Sequence, residues 1–133
     1  MVTISCPGSI NIMGEHALIR GGLGIRLAVN RFVSLTAEKS HSKDVEIHSR
    51  LGDFKGSLEN LRTRNLFPFI QNALEHFSID GGIKISIKDD LPSNVGLGSS
   101  AAVTTALVKS ITDLYGIRIE PAGLVNLIKG IVR

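Results

Sequence analysis

Along Asp44-Val45-Glu46-Ile47-His48 apolar and polar residues alternate, and that period of two is the signature of a strand with one face in water. The same alternation in Ile83-Lys84-Ile85-Ser86-Ile87-Lys88 sends three isoleucines inward and Lys84, Ser86 and Lys88 outward. Strands with one wet face favour antiparallel pairing, because a parallel strand covered on both faces reads as a continuous apolar run. Short β-like segments at Val2–Cys6, Ile10–Ile12, Gly24–Val29, Phe32–Ala37 and Val45–His48 fill the first half, with Gly21-Gly22 a clear turn among them. The period then changes. Leu66, Phe67, Ile70, Ala73, Leu74 and Phe77 line one face of a predicted helix, with Asn65 as its cap. A second helix is predicted over Ala101–Leu114, striped by Val103, Leu107, Ile111 and Leu114 and stopped at Tyr115-Gly116. A short strand at Ile117-Arg118-Ile119 and a last helix opening at Pro121 complete the reading. Strands first and helices later on one sheet give an α+β fold, an antiparallel sheet backed by helices.

Composition narrows the class. The chain has 133 residues, 43% hydrophobic and 20% charged, which suits one domain with a substantial core and excludes a disordered or coiled-coil chain. The net charge of +3 is spread along the sequence, with Arg62 and Arg64 the nearest approach to a cluster, and aromatics are only 5%, so nucleic acid is not the expected partner. The single cysteine, Cys6, forms no internal disulfide, and the N-terminal residues lack the basic start and apolar run of a signal peptide. The charge-free stretch Leu91–Val108 is interrupted by Pro92, Gly96, Gly98 and several Ser/Thr, which excludes a membrane span there. The expected compartment is the cytoplasm, without membrane attachment.

The chemistry concentrates in Pro92-Ser93-Asn94-Val95-Gly96-Leu97-Gly98-Ser99-Ser100-Ala101-Ala102, a loop running into a helix. Two glycines allow close backbone approach, the first helical N–H groups have no intrahelical acceptor, and the helix dipole favours an anion. The hydroxyls add directional donors or a hard oxygen ligand for magnesium. The bland alternative is a solvent-facing loop in which Ser99 merely caps the helix. A Walker A loop is excluded because no lysine precedes the serines. Gly96, Gly98 and Ala101 do match G-x-G-x-x-A, and Glu120 lies at the spacing of a ribose-binding acid. A dinucleotide loop, however, directly follows a buried apolar strand, and here Asp89–Val95 intervenes after an amphipathic one.

Pro92–Ala102 resembles the nucleotide-binding loop of the GHMP kinases, the group named for galactokinase, homoserine kinase, mevalonate kinase and phosphomevalonate kinase. Cys6-Pro7-Gly8-Ser9-Ile10-Asn11-Ile12-Met13-Gly14-Glu15-His16-Ala17-Leu18 is similar to the family's substrate-side motif, and the two occur in the family's order. The resemblance implies that residues 1–133 are the N-terminal, nucleotide-binding α+β domain, a fold related to a ribosomal-protein domain, with the C-terminal domain absent. It implies ATP and magnesium as cofactors and phosphoryl transfer to a metabolite hydroxyl. Pro92, Gly96, Leu97, Gly98, Ser99, Ser100 and Ala101 would hold the nucleotide, with Ser100 on the magnesium. Ser9, Glu15 and His16 would line the substrate side, and the family's catalytic aspartate would lie beyond residue 133. Ala17-Leu18 after the Glu-His pair resembles mevalonate kinase, whereas Asn11 resembles galactokinases, so a sugar substrate stays open. Ser9 stands where many members carry Lys or Arg. Either Arg20, Arg26 or a later residue replaces that cation, or phosphoryl transfer is weak or altered.

Other candidates have structural readings. His48 faces water, His41 lies in a polar turn, and His76 sits beside the apolar stripe, so no metal cluster is implied. Asp89-Asp90 ends its strand in solvent, and Cys6 is a small core hydrophobe. The stripe Leu124, Leu127, Ile128 and Ile131 on the last helix is expected to lie partly open, which would favour self-association. The competing functional class is a noncatalytic module that uses the same fold to bind a nucleotide or RNA.

Overall fold

The computed structural model describes residues 1–92 and 95–132. The alternating segments become strands of a single five-stranded sheet, ordered β1 (Val2–Met13), β2 (Ile25–Lys39), β5 (Ile83–Asp89), β3 (Val45–Ser49) and β4 (Gly52–Gly56). Val45, Ile47, Ile83 and Ile85 are buried on the helix-covered face, while His48 is exposed beside Asp53. Pairing is antiparallel except between β3 and β5, which run parallel. The parallel pair corrects the purely antiparallel expectation. It arises because a hairpin and two helices intervene between β3 and β5, long enough for a crossover.

The two N-terminal strands run longer than their apolar patterns suggest. β1 continues through Pro7-Gly8-Ser9 and β2 through Asn30-Arg31, joined by a register shift in which residues 29–31 stand opposite Gly8. Beyond β1 lies α1 (Glu15–Ile19), and β4 is followed by α2 (Leu58–Arg64), all three elements too short to show a period. Asn65 is not the cap of the next helix. It closes α2 in the left-handed conformation at φ 49°, and α3 (Pro68–His76) starts at its proline with Phe67 in the cap position. Leu66 therefore leaves the predicted stripe and is 53% exposed. Residues 117–119 join no sheet.

The fold is centred on α4 (Ser99–Leu114), which lies across β1 and β2 and meets α3 and α5 (Pro121–Val132). Ala106, Leu107, Val108 and Ile111 are fully buried among Leu35, Ile47, Leu74 and Ile85. Each buried Leu, Ile or Val side chain among these stabilises the fold by about 1.5–3 kcal/mol. Three hydroxyls on α4 are also buried, and each donates to a carbonyl of its own helix: Thr104 to Ser100 at 2.7 Å, Ser110 to Ala106 at 2.6 Å and Thr112 to Lys109 at 2.9 Å. The stripe on α5 is partly open: Leu124, Leu127 and Ile128 pack against the core but are only half-buried, and Ile131 alone of the four is buried, at 4% exposed. Further exposed apolar residues gather at the far end of the β1–β2 hairpin, among them Ile12, Met13, Leu18, Ile25 and Leu27.

Candidate functional site

The glycine-rich loop is anchored at both ends. Before it, Asp89 Oδ1 accepts the Leu91 N–H at 2.8 Å, the Asp90 N–H donates to the Phe32 carbonyl at 3.1 Å, and Leu91 is buried against Val33 and Ala102. Asp89 is consequently half-buried, not solvated as its position at a strand end suggests; Asp90 is exposed. After the loop, the Ala102 N–H donates to the Gly98 carbonyl at 3.0 Å, closing the first turn of α4. Leu97 is half-buried and packs on the same cluster as Leu91.

Gly96 and Gly98 both have positive φ, 66° and 68°, the left-handed region in which a side chain is strained. Gly98, not Ser99, occupies the cap position of α4, and among the described residues no side chain caps the first N–H groups of that helix. By contrast, Ser57 accepts the Asn60 N–H at 3.2 Å to cap α2. The reading of Ser99 as a mere cap thus fails on geometry: Ser99 is the first helical residue. Ser99, Ser100 and Ala101 are exposed, and the free N–H groups at the start of α4 remain available to an anion. The residues fit a phosphate group, and the Ser100 hydroxyl is a chemically suitable oxygen for magnesium.

The N-terminal motif comes to this loop at one point. The Ser9 N–H donates to the Leu97 carbonyl at 2.9 Å, and a Cβ on Gly98 would lie 3.2 Å from Ser9 Oγ. At Gly8 a Cβ would lie 2.5 Å from Leu91 Cδ2 and 2.9 Å from the Leu97 carbonyl oxygen, so glycine is required there for strand and loop to meet. Glu15 and His16 are elsewhere. They stand exposed on α1, past the end of β1, about 13 Å of strand beyond Ser9 at roughly 3.3 Å per residue. Arg26, one of the cations considered as a substitute at Ser9, is engaged with Asn11 across the hairpin, Nε to Oδ1 at 2.7 Å.

Beside the loop lies a cavity of about 490 Å³, within the usual range for small-molecule sites. Gly96 to Ser100 and Pro92 form one wall, and Asp89 also faces it; Ser9, Glu15, His16 and Ala101 do not line it. Ser93 and Asn94 of the predicted loop fall outside the described residues. The rest of the lining was not signalled by any motif: Arg50 and Leu51 from the β3–β4 turn, Leu66 and Phe67 before α3, and Phe69 and Ile70 within it. Nearby, the half-buried Cys6 packs against the Val33–Leu91–Ala102 cluster, and burial pushes its thiol pKa up, partly offset by Thr105.

Residues 65–132 match the sequence model of the GHMP kinases N terminal domain. The chain belongs to the GHMP kinase family. It is 34% identical over 129 residues to a galactokinase of Thermotoga neapolitana, covering 93% of this chain and 36% of that protein. It is 30% identical over 127 residues to a mevalonate kinase of Methanocaldococcus jannaschii, covering 84% of this chain and 40% of that protein. The chain therefore spans well under half the length of these relatives. Among solved structures, Streptococcus pneumoniae phosphomevalonate kinase in complex with phosphomevalonate and AMPPNP superposes with a TM-score of 0.81 at 21% identity, over 99% of this chain and 42% of that one. The mixed α+β sheet backed by helices is thus the N-terminal fold of this kinase family. Among the described residues no helix is long and apolar enough to cross a membrane.

Proposed function

We propose that this GHMP kinase domain holds ATP, with magnesium, for phosphoryl transfer to a hydroxyl of a small metabolite. The observation that carries the reading is the uncapped start of α4, its glycines in the left-handed conformation, facing a cavity of nucleotide size and tied to the N-terminal motif through Ser9 and Leu97. Phosphate oxygens would accept the N–H groups of Ser99 to Ala101, and Ser100 would contribute its hydroxyl to the metal. Bound magnesium supplies charge neutralisation between the phosphates. The apolar wall of Leu51, Leu66 and Phe69 would receive the base.

A mevalonate-like acceptor is the favoured substrate on the strength of Ala17-Leu18, with Glu15 and His16 on the acceptor side. A sugar is the second reading, favoured by Asn11 and by the galactokinase relative at 34% identity. The domain works in the cytoplasm, and the catalytic aspartate belongs to the family's second half, so the 133 residues alone bind nucleotide without turning over substrate.

Titration of the chain with Mg·ATP, followed by thermal unfolding, tests the reading. At a hundredfold excess over Kd, ligand adds about 2.7 kcal/mol of stability. An unchanged melting temperature across millimolar Mg·ATP, together with binding of RNA, would replace the kinase reading by the noncatalytic module. Measurable phosphorylation of mevalonate or galactose by the purified chain would overturn its assignment as catalytically incomplete.

A further inference from the structure

We propose that Arg50, on the two-residue turn between β3 and β4, is the cation that grips the nucleotide phosphates; the assignment rests on the nucleotide reading above. The need for such a group is electrostatic. A nucleoside triphosphate brings several negative charges, and backbone N–H groups with a helix dipole supply only partial positive charge. The loop has no Walker-type lysine, Ser9 is neutral, and Arg26, on the hairpin, does not line the cavity. Among the described residues lining the cavity, Arg50 is the one cationic side chain.

Its position is set by the fold. β3 and β4 pair in register up to Ser49 opposite Gly52, leaving Arg50 and Leu51 as the turn itself. The Ser49 hydroxyl braces the turn twice, accepting the Leu51 N–H at 3.2 Å and donating to the Gly52 carbonyl at 2.9 Å. That bracing holds Arg50 and Leu51 together at the wall of the cavity that Gly96 to Ser100 also line. The pair divides the work by chemistry. Leu51, with Leu66, offers apolar surface for the base, while the planar guanidinium of Arg50 suits two phosphate oxygens at once. Phosphate binding here thus draws on a sheet turn far from the glycine-rich loop in sequence.

Calorimetric titration of the 133-residue chain with ATP, AMP, adenosine and inorganic tripolyphosphate, against Arg50→Ala, Arg50→Lys and Leu51→Ala, tests the division. Arg50→Ala should weaken ATP and tripolyphosphate about tenfold, the loss of one charge-assisted contact. Adenosine should be unaffected, and Arg50→Lys should recover part of the loss. Leu51→Ala should weaken adenosine and ATP alike and leave tripolyphosphate unchanged. Equal losses of ATP and adenosine in Arg50→Ala, or no loss in either, would overturn the assignment while leaving the nucleotide reading intact. A parent chain that binds none of the four probes would overturn both.

Discussion

Replacing Gly8 by alanine tests the contact that joins the two motifs. Gly8 is buried in β1, and the new methyl would lie 2.5 Å from Leu91 Cδ2 and 2.9 Å from the Leu97 carbonyl oxygen. Leu91 has nowhere to swing, being 1% exposed and packed on Val33 and Ala102, so the backbone at Leu97 must give way. Overpacking of this kind costs about 1–3 kcal/mol, and losing the 2.9 Å Ser9–Leu97 hydrogen bond adds about 0.5–1.5 kcal/mol. The sum, about 1.5–4.5 kcal/mol, lowers the melting temperature by about 5–18 °C in a domain of this size. Because the shifted carbonyl belongs to the glycine-rich loop, ATP affinity of the folded variant should fall as well. Circular dichroism melts and calorimetry below the transition measure the two effects separately. Gly130→Ala is the control of opposite sign: its Cβ meets nothing within 4 Å on α5, and removing a helical glycine should stabilise by about 0.5–1 kcal/mol. A Gly8→Ala chain that melts within a degree or two of the parent, or that melts early with ATP affinity intact, would refute the coupling of strand to loop.

Ser100→Ala should weaken binding of ATP with magnesium more than binding without it, read by calorimetry with and without a chelator; equal losses would remove the metal role. Leu107→Ala, at the fully buried centre of α4, should destabilise by about 2–5 kcal/mol in urea denaturation, and less than 1 kcal/mol would place the core elsewhere. Arg62 donates two hydrogen bonds to Glu75 Oε1 at 3.0 and 2.7 Å, and Gln71 donates a third, which together hold the Glu75 carboxyl below its usual 4.5. A lowered folded pKa gives stability that is present above the unfolded value and lost as pH falls through the folded one. The surface location limits it to under about 1 kcal/mol, so Glu75→Gln should lower stability by that small amount at pH 7 and flatten the acid limb below pH 4.5, the variant and parent converging once Glu75 is protonated in both states; a variant equally stable at pH 7 would remove the contribution.

The elements legible in the sequence are those where one periodicity runs long enough to be counted. Val45–Ser49 and Ile83–Asp89 show their period of two, and the stripe of Val103, Leu107 and Ile111 is continuous on α4. Polar residues in β1 and β2 broke each into two predicted strands, because Thr3–Thr36 and Ser5–Ser34 hydroxyl pairs, at 3.0 and 2.8 Å, and the bulge at Gly8 are cross-strand facts. At Asn65 the residue type was compatible with either end of a helix, and the left-handed φ that assigns it to the end of α2 is a backbone property. The glycine-rich side of the cavity was readable because its pattern is local: glycines and serines ahead of an apolar helix. The wall of Arg50, Leu51, Leu66 and Phe69 was not, since it is assembled from a turn and a helix brought beside the loop only by the β3–β5 crossover.

β1 is an edge strand, and that fact explains how the loop is held. An edge leaves outward N–H and C=O groups without a strand partner. At Ser9 the loop itself supplies the partner, through the Leu97 carbonyl, so the sheet edge and the glycine-rich loop complete each other. With Leu91 in the core and Gly98 closing the first turn of α4, the loop is held at three points, and the proposed phosphate binding there would require little reorganisation. The residues proposed for the acceptor side have no comparable support. α1 carries Glu15 and His16 with no buried residue of its own, at an end of the hairpin where Ile12, Met13, Ile25 and Leu27 are half exposed or more. On the proposed kinase reading, this contrast would separate the two halves of the reaction within the chain: the nucleotide side would be preorganised, whereas Glu15 and His16 would still have to be positioned before they could orient a hydroxyl for transfer.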